Sequence, residues 1–558
     1  MPKSPPRARQ TLRNPRQDSM MQCSTPAERL YDSLRNAPGR WMLLLVAVPF
    51  LLRLWFVGTV QLGLVQDEAQ YWDWTRQLQL TYYSKGPLIA WIIKACTSVL
   101  GDTELGVRMG SLLGMAAFPM LVWWLVGRVW RQPAMAVLAV FVITVSPLFQ
   151  ALGILMTTDN PFVLCWMLSM LALYAASSPD DAGKDRGLWP FALLALAYGV
   201  GILAKYTMLG LAGLAVVHGL LLQRRNALPP RYWPRLFLAL ALGACLGFLP
   251  TLIWNMQNGF VGYKHVLHLI GVSGQGAKTL FRLSRVPEYA GAQFGFALPW
   301  WFWLMLVAGW RAGRIAWRGV TASGQGGLDF RQSTLLAVFF WPMTLFFLAW
   351  SFHTKVLANW NTVSFVAGAL LCAAELDRLL RSGLSARGWF WLKAGAYASV
   401  GLMLFLHLHQ LLPIPPGLNP AHRLKGWEDL GRHMRSVADT RFADPQRVFF
   451  MSDVYDITAE LAFYVPGQPR AYCLWWDGRR MNQYDLWGGP KDKEGWDAIL
   501  VLRGDSPGVP PVATEMFAAV AGPYRYVASY RGQPVRPFYY YLCMGYKGFW
   551  PRRDTGAY

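Results

Sequence analysis

The stretch Trp41-Met-Leu-Leu-Leu-Val-Ala-Val-Pro-Phe50 opens a long apolar run that soon gives way to Gln66-Asp67-Glu68-Ala69-Gln70-Tyr71-Trp72-Asp73-Trp74. An apolar run of about 20 residues is enough to span a bilayer, so the acidic pair stands where the chain leaves the membrane. Carboxylates beside a bilayer are costly to desolvate, and a pair at the mouth of a transmembrane bundle is a candidate active site. The competing reading is that Asp67 only caps an interfacial helix whose tryptophans lie among the headgroups.

The rest of the chain supports the membrane reading. Of its 558 residues, 54% are hydrophobic and only 15% are charged, a balance that excludes an ordinary soluble domain. The net charge of +22 comes from short basic clusters between apolar runs. The positive-inside rule produces this pattern, and it removes the reason to invoke nucleic acid. Residues 1–40 are polar and rich in Pro and Arg, and read as a disordered cytoplasmic tail. No small-residue cleavage site follows the first apolar run, which therefore reads as a retained span. Of the cysteines, only Cys473 and Cys543 are candidates for a disulfide, with pairing left open.

Spanning runs begin near Trp41, Val107, Ala134, Asn160, Trp189, Thr207, Leu236, Gln293, Thr334, Trp360 and Phe390, giving about eleven helices in residues 41–411. With the tail inside, the basic clusters Arg128/Arg131, Lys184/Arg186, Arg224 to Arg235, Arg311 to Arg318 and Arg378 to Arg387 all fall on the cytoplasmic side. The acidic loop, the Thr157-Thr158-Asp159-Asn160 turn, Lys205, residues 255–291 and residues 353–360 then share the outer face. Asp67 to Leu80 and Pro87 to Leu100 read as two surface helices, the second too short to cross. Residues 412–558 follow outside as a small α/β domain. In it, 447–451, 498–502 and 538–542 are strand-like and 455–464 helix-like. The fold class is thus an all-α polytopic membrane protein with a small C-terminal α/β extracytoplasmic domain.

Three outer segments combine acids and cations: Asp67-Glu68 with Tyr82-Tyr83-Ser84-Lys85-Gly86-Pro87, the Asp159 turn, and Ser351-Phe-His353-Thr-Lys355 ending in Asn359-Trp360. Moving a group from a lipid-linked phosphate to a hydroxyl needs a carboxylate base for the acceptor and cations for the departing phosphate. Lys85, Lys205, Arg282, Arg285 and Lys355 are the available cations, although long basic side chains at helix ends often only snorkel. Asp159 at a helix start has helix capping as its competing role. His265, His268 and His353 show no metal-ligand spacing and read as polar lining. Glycines 271, 274 and 276 make the loop between Tyr263 and Tyr289 a candidate lid.

Asp67-Glu68-Ala-Gln-Tyr71-Trp72 followed by Tyr82-Tyr83-Ser84-Lys85-Gly86-Pro87-Leu-Ile-Ala-Trp91 resembles the first periplasmic loop of bacterial family 39 glycosyltransferases. These are GT-C fold enzymes, related to protein O-mannosyltransferases and to the transferase that places aminoarabinose on lipid A. Met156-Thr-Thr-Asp159-Asn-Pro161, Gly201-Ile-Leu-Ala-Lys205-Tyr206-Thr207 and Lys355-Val-Leu-Ala-Asn359-Trp360 extend the resemblance, as do Glu460 to Pro469 and Arg480 to Trp487 in the tail. The resemblance implies transfer of a sugar from a polyprenyl-phosphate carrier to an acceptor on the periplasmic side of the bacterial inner membrane. Asp67 would be the catalytic carboxylate, Glu68 its companion and Asp159 a second acid. Lys85 and Lys205 would lie near the carrier phosphate, within a substrate-binding set that also includes Tyr82, Tyr83, Arg282, Arg285, His353, Lys355 and Asn359. Nothing here has the length or repeat pattern of the lectin-like module of eukaryotic protein mannosyltransferases, which counts against a protein acceptor; among lipid, glycan and protein the acceptor stays unassigned.

The expected reaction is a single displacement with inversion, Asp67 acting as general base. Cationic side chains can neutralise a lipid monophosphate, so no cofactor is required, and a divalent metal is left open. Two competing classes are a transporter or flippase of lipid-linked sugars and a non-catalytic component of envelope-glycan assembly. Transporters usually carry internal repeats and midplane charges, and this chain shows neither.

Overall fold

A computed structural model describes residues 26–180, 182–269, 283–319, 327–412, 424–475, 481–504 and 508–551. The expected lid glycines, Arg282 and the first 25 residues lie outside the described residues. The remainder of the tail is not disordered, because helix α1 (Pro26–Asn36) forms there. Its apolar side buries Ala27 and Leu34, and Trp41 donates to the Ser33 hydroxyl at 3.1 Å, so the segment has a face to bury after all.

The membrane part begins with α2 (Pro38–Gly58), the outer helices α3 (Gln66–Trp74) and α4 (Leu88–Leu100), and α5 (Glu104–Val122). It continues through α6 (Pro133–Val145), α7 (Pro147–Ile154), α8 (Asp159–Ser177), α9 (Trp189–Ala204), α10 (Gly210–Gln223), α11 (Tyr232–Gln257) and α12 (Val261–Leu269). α13 (Val286–Ala297), α14 (Pro299–Arg318), α15 (Phe330–Ser351), α16 (Thr362–Ser382) and α17 (Ala386–Leu408) complete it. Both expected surface helices are present, α3 ending at Trp74, short of Leu80.

Among the described residues, seven helices are long and apolar enough to cross a membrane, and nine if each bent pair counts as one span. The bends have local causes. Pro147 lacks an N–H and excludes helical backbone at Ser146, which turns α6 into α7 by 71°. Leu298 at φ +69° followed by Pro299 turns α13 into α14 by 98°. The count of about eleven is not reached because α9 has only 16 residues and α16 carries Glu375, Asp377, Arg378 and Arg381 in its second half.

α8 is the most buried of the spanning helices, enclosed in the main apolar core with α5, α6, α9, α15 and α16. Its first residue, Asp159, is thereby fixed at one mouth of the bundle. Asn160 helps to hold it, donating to the carbonyls of Ser111 (3.1 Å) and Leu152 (2.8 Å).

The C-terminal domain contains α18 (Trp427–Arg441), β1 (Val448–Ser452), α19 (Tyr455–Tyr464), β2 (Ala471–Cys473), α20 (Gln483–Trp487), β3 (Asp497–Leu502), α21 (Pro511–Met516), β4 (Phe517–Tyr530) and β5 (Gln533–Tyr546). They form one mixed sheet in the order β2-β1-β3-β5-β4, parallel over the first three strands and antiparallel over the last two pairings. β1, β3, β5 and α19 coincide with the expected pieces. β2 and β4 were not foreseen, since β2 is three residues long and β4 is interrupted by Gly522-Pro523. Cys473 and Cys543 do not pair with each other, because they lie on strands separated by β1 and β3 and in cores on opposite faces of the sheet.

This domain is docked on the acidic loop. α19 packs along α3, Trp72 meets Phe463 edge-on at 4.9 Å, and the Tyr464 hydroxyl accepts the Leu64 N–H at 2.7 Å. Arg76 reaches across to the carbonyls of Ala462 and Gln468. One apolar core includes residues of α3, α4 and the C-terminal domain together.

Candidate active site

Asp67 and Glu68 are neighbours in sequence and opposites in environment. On a helix, adjacent residues point about 100° apart, so α3 turns one carboxylate outward and the other into the protein. Glu68 is fully buried. Its Oε2 accepts from Arg108 Nη2 (2.6 Å) and the Val65 N–H (2.9 Å), and its Oε1 from Arg108 Nε (2.9 Å) and the Met156 N–H (2.8 Å). Arg108 also donates to the carbonyls of Leu62 (2.8 Å) and Gly63 (2.7 Å). Glu68 therefore staples α3 to α5 and to the Asp159 turn, and also caps the α3 N-terminus through Val65. Both oxygens of this expected companion of Asp67 are thus occupied inside the protein.

Asp67 is exposed, and capping is not its role. Its closest hydrogen-bond partner is the hydroxyl of Tyr455, the first residue of α19, donating to Oδ1 at 3.4 Å. Burial and the Asp67 carboxylate push the Tyr455 phenol well up, which keeps it a proton-bearing donor. Tyr71, one turn along α3 from Asp67, is pushed up by burial and by the charges of Asp67, Asp159 and Glu68.

Asp159 also departs from simple capping. Its Oδ1 pairs with Lys205 Nζ at 2.6 Å and its Oδ2 accepts from Asn359 Nδ2 at 2.8 Å. This carboxylate thus ties together α8, the α9 terminus and the turn before α16. Lys85 is half-buried among these groups. Burial, with Lys205 nearby, lowers its pKa, while Asp67 and Asp159 oppose the shift. It forms no ion pair among the described residues, so its ammonium stands open to an anion. Gly86 allows this placement, since a Cβ there would lie 2.0 Å from the Leu203 carbonyl oxygen, within two residues of Lys205.

Not all of the expected substrate-binding residues join this cluster. Tyr82 is buried, stacked on Trp74 at 4.3 Å, with its hydroxyl donating to the Trp74 carbonyl. It shapes the loop, and the same burial pushes its phenol to about 12. Tyr83 is buried against His265 at 4.5 Å, and its N–H donates to Gln483 of the C-terminal domain. Lys355 pairs with Glu288 at 3.0 Å, both side chains well exposed. His353 packs on Trp350. Arg285 lies in the turn Leu283–Arg285 before α13, with no bond to the cluster among the described residues. Among the described residues no group of three His, Cys, Asp or Glu side chains could hold a metal ion.

Two participants escaped sequence reasoning. Arg108 had a signal, because an arginine inside an apolar run requires a buried acceptor. Tyr455 had none, being nearly four hundred positions from Asp67.

The fold is that of GT-C-type membrane glycosyltransferases, and the comparisons support the same class of enzyme for this chain. It is similar to the lipid A aminoarabinose transferases. Residues 84–254 match the family model described as dolichyl-phosphate-mannose-protein mannosyltransferase. The chain is 28% identical to lipid A galacturonosyltransferase RgtD of Rhizobium johnstonii, over 71% of this chain and 76% of that protein. It is 26% identical to the undecaprenyl phosphate-alpha-4-amino-4-deoxy-L-arabinose arabinosyl transferase of Pseudomonas aeruginosa, over 60% of this chain but only 56% of that relative's length. In fold it is similar to the crystal structure of ArnT from Cupriavidus metallidurans bound to undecaprenyl phosphate, with a TM-score of 0.61 and 17% identity over 91% of this chain and 98% of that one. These likenesses favour the enzyme over a transporter or a non-catalytic assembly component.

Proposed function

We propose that this protein transfers a sugar from a polyprenyl-phosphate carrier to a hydroxyl of an envelope lipid, with Asp67 as general base. The observation that carries the reading is that, of the three acids considered at the site, Asp67 alone is exposed while Glu68 and Asp159 are engaged in ion pairs. The acceptor oxygen attacks the anomeric carbon and gives its proton to Asp67. The bond from that carbon to the phosphate oxygen breaks, and the polyprenyl monophosphate leaves with the electron pair. Lys85 and Lys205 receive the growing negative charge, with Asp159 and Asn359 fixing Lys205. One displacement inverts the anomeric centre, and no covalent intermediate is needed.

The relatives' names support a polyprenyl-linked donor and favour lipid A as acceptor. The basic clusters at the far end of the bundle support a cytoplasmic N-terminus in the bacterial inner membrane, with the site and C-terminal domain outside. The test is mass spectrometry of lipid-linked sugars and envelope lipids from a deletion strain. One sugar should disappear from a lipid while its polyprenyl-phosphate form accumulates. Unchanged profiles in both pools would refute the assignment.

A further inference from the structure

The end of the bundle opposite Asp67 carries a cavity lined by arginines. α14 runs about 30 Å from Pro299 to Arg318 and ends there beside the last turns of α16. The cavity has a volume of about 490 Å³, and its lining sets four guanidinium groups (Arg311, Arg314, Arg318, Arg378) against a single carboxylate, Glu375. Arg311 donates to both Glu375 oxygens (2.9 and 2.8 Å) and Arg378 donates to Oε1 at 2.7 Å. The carboxylate is thus consumed by two arginines, and Arg314 and Arg318 remain exposed.

Those two arginines also line an adjoining groove of about 510 Å³ together with Trp310, Trp317 and Trp341. Trp310 and Trp317 are 56% and 70% exposed, and the Arg314 guanidinium lies 4.7 Å over the Trp310 ring. A cluster of surplus guanidinium groups therefore meets an aromatic, outward-facing groove at the end of a membrane helix. General membrane topology asks only for positive charge here; it does not ask for a cavity or for a groove sharing its arginines.

The geometry points to a binding site for an anionic phospholipid, its phosphodiester on Arg314 and Arg318 and its acyl chains along the tryptophan groove. Guanidinium forks match phosphate oxygens in pairs, and tryptophan favours the membrane interface. A soluble anion would leave the aromatic groove unused.

The full chain, purified in detergent, is titrated with phosphatidylglycerol and with phosphatidylethanolamine and followed by native mass spectrometry. Both lipids offer the phosphodiester, but the ammonium of phosphatidylethanolamine cancels its net charge and is repelled by the surplus guanidinium groups, so a preference of about tenfold for phosphatidylglycerol is expected. The double variant Arg314→Gln/Arg318→Gln, altering exposed side chains, should lose that preference, whereas Arg525→Gln in the C-terminal domain should keep it. Equal retention of the two lipids by the wild type would overturn the proposal without reference to any variant. So would an undiminished preference in the double variant, or displacement of the bound lipid by equimolar glycerol phosphate.

Discussion

Replacing Glu68 by Gln should damage the fold, and replacing Asp67 by Asn should damage the chemistry. Glu68 receives two donors on each oxygen: Arg108 Nε and the Met156 N–H on one, Arg108 Nη2 and the Val65 N–H on the other. An amide has one oxygen, so in either orientation its NH₂ group faces two donors. Arg108, fully buried, also loses its counter-charge. Breaking a buried ion pair from one side costs about 3–5 kcal/mol. For a chain of 558 residues this corresponds to a fall in melting temperature of about 3 °C or more. Asp67 is exposed, and Asp67→Asn should change stability by no more than about 0.5 kcal/mol. It should nonetheless lower transfer by about 10²–10⁴-fold through loss of the base. Both quantities are measurable on purified protein, by tryptophan fluorescence on heating and by sugar transfer from a synthetic polyprenyl-phosphate donor. A Glu68→Gln protein that melts like wild type but has lost turnover would refute the division of labour, as would an Asp67→Asn protein with normal turnover.

Lys85, its pKa lowered by burial, should lose its proton at a lower pH than an ordinary lysine near 10.4, and donor KM should rise on the alkaline side accordingly. Lys85→Arg keeps the charge and should move that rise to higher pH; superimposable profiles would exclude Lys85 as the phosphate contact. Gly86→Ala places a Cβ 2.0 Å from the Leu203 carbonyl oxygen, so folded yield should drop sharply, and a well-folded, fully active variant would contradict the close packing of the two segments. Tyr455→Phe removes the hydroxyl donating to Asp67 and should lower kcat by about 2–10-fold with donor KM unchanged, the kinetic split being the readout. An unchanged kcat would show that the C-terminal domain does not assist Asp67.

Much of the fold was legible in the chain because a bilayer imposes a length and a charge rule on every crossing. Apolar runs located the membrane helices, and basic clusters ordered their ends. Where that reading departed from the structure, the causes were local: a tail with enough apolar side chains to form α1, and a helix, α16, whose buried Glu375 and Asp377 depart from the usual hydropathy of a span. Strands β2 and β4 escaped because three residues are too few to show alternation and Gly522-Pro523 interrupts it.

The candidate site divided along the same line. Sequence alone determined that Asp67, Glu68, Lys85, Asp159 and Lys205 belong to one face of a membrane enzyme, because topology sorts residues by side. Only tertiary structure decided that Glu68 is buried on Arg108, that Asp159 holds Lys205 and Asn359, and that Asp67 is exposed beside a tyrosine from the C-terminal domain. Ion pairing is settled through space, between groups whose separation along the chain carries no trace of it. Two adjacent carboxylates of identical chemistry thus part ways on a rotation of about 100° around α3.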